Sequence, residues 1–231
     1  MNRINIFRYI AYFSDSFYIL EIMAILGIVL LTYSSVSAFY SGTGFLYPPF
    51  YILQSFFMVY SAFTAFSFAN KIERGVIGHV FSMPINRLIF LRSCEFFEVV
   101  MLPAMIIIPS FMITELSEFS LRMDFLSFVF LFSVAIISFM VSLGRILAVI
   151  VRNGIIAFLL TFGFFEALSL MSNYFASGSF FWFISNGMNS LATIGASSIS
   201  TEVSIALLFV AILFFEFSNR LLLRLNLKNG R

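Results

Sequence analysis

The sequence predicts an all-α membrane protein of six transmembrane helices, with an N-terminal interfacial helix and an amphipathic cytoplasmic connector between spans two and three. Three observations carry that expectation. The 231 residues are 61% hydrophobic and only 10% charged, with a mean hydropathy of +1.04, more apolar surface than a water-soluble globule of this size can hide. Six apolar runs recur along the chain, each with the roughly 20 residues that a helix needs to cross about 30 Å of hydrocarbon. The basic residues gather in alternate connections, which sets the orientation of the runs.

In chain order, residues 1–16 come first: Ile4, Phe7, Ala11 and Phe13 alternate with Arg3, Arg8 and Asp15 at helical spacing, as in a helix lying along the interface. No cleaved leader is expected, because these polar and aromatic residues precede a full-length apolar run. The spans follow as Phe17–Phe39, Tyr47–Ala69, Cys94–Ile113, Phe125–Gly144, Ile155–Ala176 and Val203–Leu222. Lipid offers exposed backbone groups no partner, so these runs must be helices; they lack the alternation of a barrel. Pro103 and Pro109 predict kinks in the third span.

Arg3 and Arg8 precede the first span, Lys71, Arg74, Arg87 and Arg92 separate the second from the third, Arg145 and Arg152 separate the fourth from the fifth, and Arg220, Arg224, Lys228 and Arg231 close the sixth, with only Arg122 on the other side. That distribution predicts a multi-pass protein of the cell membrane with both termini cytoplasmic. The 177–202 segment, with an aromatic patch around Trp182 and then many small polar residues, reads as extracellular or re-entrant. No repeat interrupts the chain, so residues 1–231 form one membrane domain.

The 71–92 connector is the most informative stretch. As a helix from Ile72 it places Ile72, Val76, Ile77, Val80, Phe81 and Met83 on one half of the circumference, and Arg74, Gly78, His79 and Ser82 on the other. Pro84 ends the helix, and Asn86 and Arg87 follow in a turn. The order Glu73-Arg74-Gly75, an apolar run from Val76 to Met83, then Pro84 and Arg87 resembles the cytoplasmic connector of the type-2 permease family of ATP-binding-cassette transporters. The chain departs from that pattern at Gly78, where the family usually has an acidic or amide residue, and at Arg92 and Cys94, near which it has a lysine.

The resemblance implies a permease subunit of an exporter that dimerises with itself or a related subunit and engages two copies of a separate ATPase. The connector would then be the coupling helix, with Glu73, Arg74, Gly75, Val76, His79, Val80, Pro84 and Arg87 as its contact residues. Such a chain is not itself an enzyme and holds no cofactor; ATP and Mg belong to the ATPase. The residues agree: neither Lys71 nor Lys228, the two lysines, follows a G-x-x-x-x-G-K-[ST] loop.

Other classes fare worse. A net charge of +2 without a basic stripe leaves nucleic acid no footprint, and lone Cys94 and His79 cannot make a metal centre. An intramembrane serine protease built on the Gly195–Ser198 stretch would need a base, yet His79 belongs to the opposite membrane face. The alternative is an ion-coupled carrier or channel with Glu166, inside the fifth span, in its pathway. Glu95 and Glu98 share a helix face at the depth of Arg145 and Arg152, as expected of a salt-bridged latch between connector and bundle. Snorkelling accounts for Glu21 and Glu216.

Overall fold

A computed structural model describes residues 22, 25–26, 50–82, 86–116, 123–171, 174 and 200–229. Among these residues the protein is all-helical, with α1 (Phe50–Glu73), α2 (Val76–Ser82), α3 (Arg87–Leu116), α4 (Met123–Val151), α5 (Gly154–Leu170) and α6 (Ser200–Asn229). Two stretches, Ser133–Val151 in α4 and Ile205–Leu225 in α6, are long and apolar enough to cross a membrane. The interfacial segment 1–16, most of the first apolar run, Met83, Pro84 and the outer segment with Trp182 lie outside the described residues.

Several helices outlast the apolar runs that predict them, although α5 ends at Leu170, short of the expected Ala176. α3 starts at Arg87 rather than Cys94, and α4 continues past Gly144 to Val151. A helix propagates until something caps it, not until its side chains turn polar. Asn86 supplies one cap, its Oδ1 accepting from the Ile89 N–H at 3.3 Å, and Asn153 supplies another, accepting from Ile156 at 3.2 Å. α3 remains a single helix through Pro103 and Pro109.

α4 is the central helix. It packs against α1, α3, α5 and α6, and α1 also packs along α5. Close approach is possible because the contact is lined by small residues. A Cβ added at Gly144 would lie 3.2 Å from Ala65 Cβ, the Ser61 carbonyl oxygen and Thr161 Cγ2, so three helices meet at that point. Buried hydroxyls around it satisfy themselves on their own helices: Ser61 donates to Met58 O at 2.8 Å, Ser142 to Phe139 O at 2.8 Å and Thr161 to Ala157 O at 2.7 Å.

The exposed faces are apolar, unlike those of a water-soluble bundle. Serines, threonines and several charges are buried, while Ile155, Leu159, Ile205, Phe209 and Ile212 are exposed. Among the described residues the interior has two apolar clusters. One joins Phe57 and Tyr60 of α1, Val99 of α3, Met140 of α4, Phe165 of α5 and Ala211 of α6. The other joins Phe68 of α1, Ile77 and Phe81 of α2, Leu91 of α3, Val149 of α4 and Leu222 of α6.

The three-helix contact at Gly144 makes a direct prediction. Gly144→Val forces α1, α4 and α5 apart and costs about 1–3 kcal/mol, whereas Gly163→Ala, with no heavy atom within 4 Å of the added carbon, stabilises by about 0.5–1 kcal/mol through helix propensity. Thermal unfolding of both variants in detergent measures the contrast.

Candidate functional site

Two features stand out, a jointed connector and a buried charged layer behind it. The connector is not the single helix expected from Ile72 to Met83. α1 runs on to Glu73, and the chain then turns at Arg74 and Gly75 before α2 begins at Val76. Gly75 adopts φ 70°; its N–H reaches Ile72 O at 3.1 Å and its carbonyl accepts from His79 at 3.1 Å. It thus closes one helix and opens the next, and only glycine enters that left-handed conformation without a Cβ penalty.

α2 buries Ile77 and Phe81, with Ile72 and Val80 packed beside them on the second apolar cluster. Val76, predicted among the apolar half, is instead 39% exposed, because the turn at Gly75 resets the helical phase. Glu73, Arg74, Gly75, Gly78, His79 and Ser82 are exposed with it. Ser82 Oγ donates to His79 O at 2.6 Å, closing the last turn. Arg87 is the first residue of α3 rather than part of a loop, and its guanidinium lies 5.5 Å from the Phe81 ring centroid, joining the two helices through a cation–π contact.

The charged layer lies between the two apolar clusters along α3, α4 and α6. Arg145 of α4 is 1% exposed. Its Nη1 donates to Glu95 Oε1 at 2.9 Å and its Nη2 to Glu98 Oε2 at 2.8 Å. Asn219 of α6 donates to the same Glu95 oxygen at 2.8 Å, and Tyr60 of α1 donates to the backbone carbonyl of Glu98 at 3.0 Å. The Arg145 guanidinium lies 4.7 Å from the Phe68 ring centroid and 5.7 Å from that of Phe215. Glu95 and Glu98, three apart, present both carboxylates on one face of α3, and a guanidinium is the side chain that can meet two carboxylates at once. Arg145 Nε and Asn219 Oδ1 find no hydrogen-bond partner.

The expected inner latch is therefore present in part. Glu95, Glu98 and Arg145 come together and, with Asn219, tie α3 to α4 and α6. Arg152 stays out of it: exposed in the turn between α4 and α5, it adopts φ 56°, and Asn153 caps the next helix. Glu216 does more than snorkel, accepting from Arg92 at 3.0 Å and from Arg220 at 3.1 Å. Glu166 is half-buried on α5, between buried Phe165 and exposed Ala167. Asn219 and Tyr60 were not expected. A lone asparagine near the charged end of an otherwise apolar run was the available signal for the first; nothing in the sequence singles out the second among nine tyrosines.

No protein-family model matches the chain, and no curated protein or solved structure matches it.

At the joint, Gly75→Val costs about 1–3 kcal/mol, chiefly through backbone strain, since an added Cβ would meet nothing within 4 Å. Gly75→Asn, which tolerates that conformation, costs less. In the charged layer, Asn219→Leu removes one of the donors to Glu95 and destabilises by about 1–3 kcal/mol. Chemical or thermal denaturation of the detergent-solubilised chain ranks these three variants.

Proposed function

We propose that this chain is the permease subunit of an ATP-binding-cassette exporter. It would be a six-span protein of the cell membrane with both termini cytoplasmic, and α1, α3, α4, α5 and α6 would serve as spans two to six. It would work as a homodimer or a heterodimer with a related subunit, on two copies of a separate ATPase that carries ATP and Mg. Helix lengths are consistent with crossing: α1, with 24 residues, is about 36 Å long, and α5, with 17, about 26 Å.

The observation that carries the proposal is the build of the connector. α2 is short and joined to the flanking helices at both ends, by the Gly75 turn on one side and the Arg87–Phe81 contact on the other. Its apolar face is rooted in a cluster shared with α1, α3, α4 and α6. The exposed Glu73 and Arg74 at the joint, with Gly78 and His79 of α2, are offered to a partner. A push on such an element moves the helices behind it rather than being absorbed by a loose loop. The order Glu73-Arg74-Gly75 through Pro84 to Arg87 gives the partner its identity by resemblance. In this reading ATP-driven closure of the ATPases presses on α2, and the spans re-tilt to open a path outward.

Purifying the full chain from its native membrane in mild detergent tests the reading. A nucleotide-binding protein is expected to accompany it. Exchanging the two charges, Glu73→Arg with Arg74→Glu, is expected to reduce recovery of that companion several-fold while the chain keeps its own melting temperature. A chain that emerges without a nucleotide-binding companion, or that keeps it undiminished after the exchange, contradicts the proposal.

A further inference from the structure

The seam between α3 and α6 carries a charge arrangement that the coupling reading does not use. Arg92 of α3 and Arg220 of α6 converge on the single carboxylate of Glu216, at 3.0 and 3.1 Å. Two cations on one anion leave a positive charge in excess, and Arg224, one turn beyond Arg220 and exposed, adds a second. The arginine side chains are 62% and 71% exposed. Each guanidinium has five N–H donors and gives one of them to Glu216.

The surroundings are apolar. Phe96, one turn from Arg92 on the same face of α3, is 70% exposed; Phe217 and Leu213, flanking Glu216 on α6, are 54% and 52% exposed. Cations beside exposed apolar side chains match a molecule with an anionic head and hydrocarbon tails. A zwitterionic headgroup brings its own cation and gains less from a site already in positive excess.

We propose that the α3–α6 seam binds an anionic phospholipid, its phosphate on Arg92 and Arg220 and its acyl chains against Phe96, Leu213 and Phe217. The site rests on the membrane placement proposed above and not on coupling to an ATPase. Glu216 competes with the phosphate for the same two guanidinium charges, so it sets how firmly the lipid is held.

The test uses the full chain reconstituted in vesicles of phosphatidylcholine containing phosphatidylglycerol, floated, extracted in mild detergent and assayed by mass spectrometry for retained lipid. Wild type is expected to retain phosphatidylglycerol over phosphatidylcholine. Arg92→Gln and Arg220→Gln should each lower that retention about fivefold, and Glu216→Gln should raise it. Opposite signs are the decisive feature, because a purely structural surface ion pair would be weakened alike by losing either partner. Arg152→Gln, an exposed arginine away from the seam, should leave retention unchanged. Equal retention of the two lipids, a same-sign effect of Arg92→Gln and Glu216→Gln, or a matching loss in Arg152→Gln overturns the site. A chain that fails to float with the vesicles overturns the membrane placement itself.

Discussion

Arg145 of α4 is enclosed by α1, α3 and α6, and its forked donors hold Glu95 and Glu98 at 2.9 and 2.8 Å. Taking three charges out of water is costly, and only near-complete pairing offsets it. The surrounding structure is arranged accordingly. Asn219 fixes Glu95 from α6, Tyr60 fixes the α3 backbone at Glu98 from α1, and the Phe68 ring faces the guanidinium. Apolar packing tolerates small shifts in rotation and register, whereas forked hydrogen bonds do not. The charged layer thus sets the rotation and height of α3 and α6 against α4, and the apolar clusters on either side fill in around it.

That placement matters for the connector. α2 is rooted in the apolar cluster next to the charged layer, and Leu91 and Cys94 of that cluster lie within a turn of Glu95. A displacement of α2 would therefore meet a joint with few alternative arrangements. The small-residue contact at Gly144, one position before Arg145, holds α1 and α5 to the same level. The outward faces carry few such constraints; Ile155, Leu159, Phe209 and Ile212 are exposed and apolar.

Much of this was legible in the sequence where composition and spacing act locally. Apolar runs located the helices, and the three-residue spacing of Glu95 and Glu98 with Arg145 at matching depth anticipated the pairing. Helix ends were less legible, because they depend on caps at Asn86 and Asn153 and on the left-handed turn at Gly75 rather than on hydropathy. That turn also changes the phase of α2, which is why Val76 faces outward. Arg152 resembled Arg145 in type and depth, yet a residue in a turn between two capped helices cannot reach α3. The pairing of Glu216 with Arg92 spans 124 positions, and no local pattern encodes which two helices will be neighbours.

The central claim is that the Arg145 fork fixes the helix arrangement, and comparing a single with a triple substitution tests it most directly. Arg145→Met alone strands two buried carboxylates, and its unfolding free energy in detergent is predicted to fall by about 3–5 kcal/mol. Arg145→Met with Glu95→Gln and Glu98→Met removes the stranded charges and is predicted to recover most of that loss. A single variant as stable as wild type, or a triple variant no better than the single, would contradict the account.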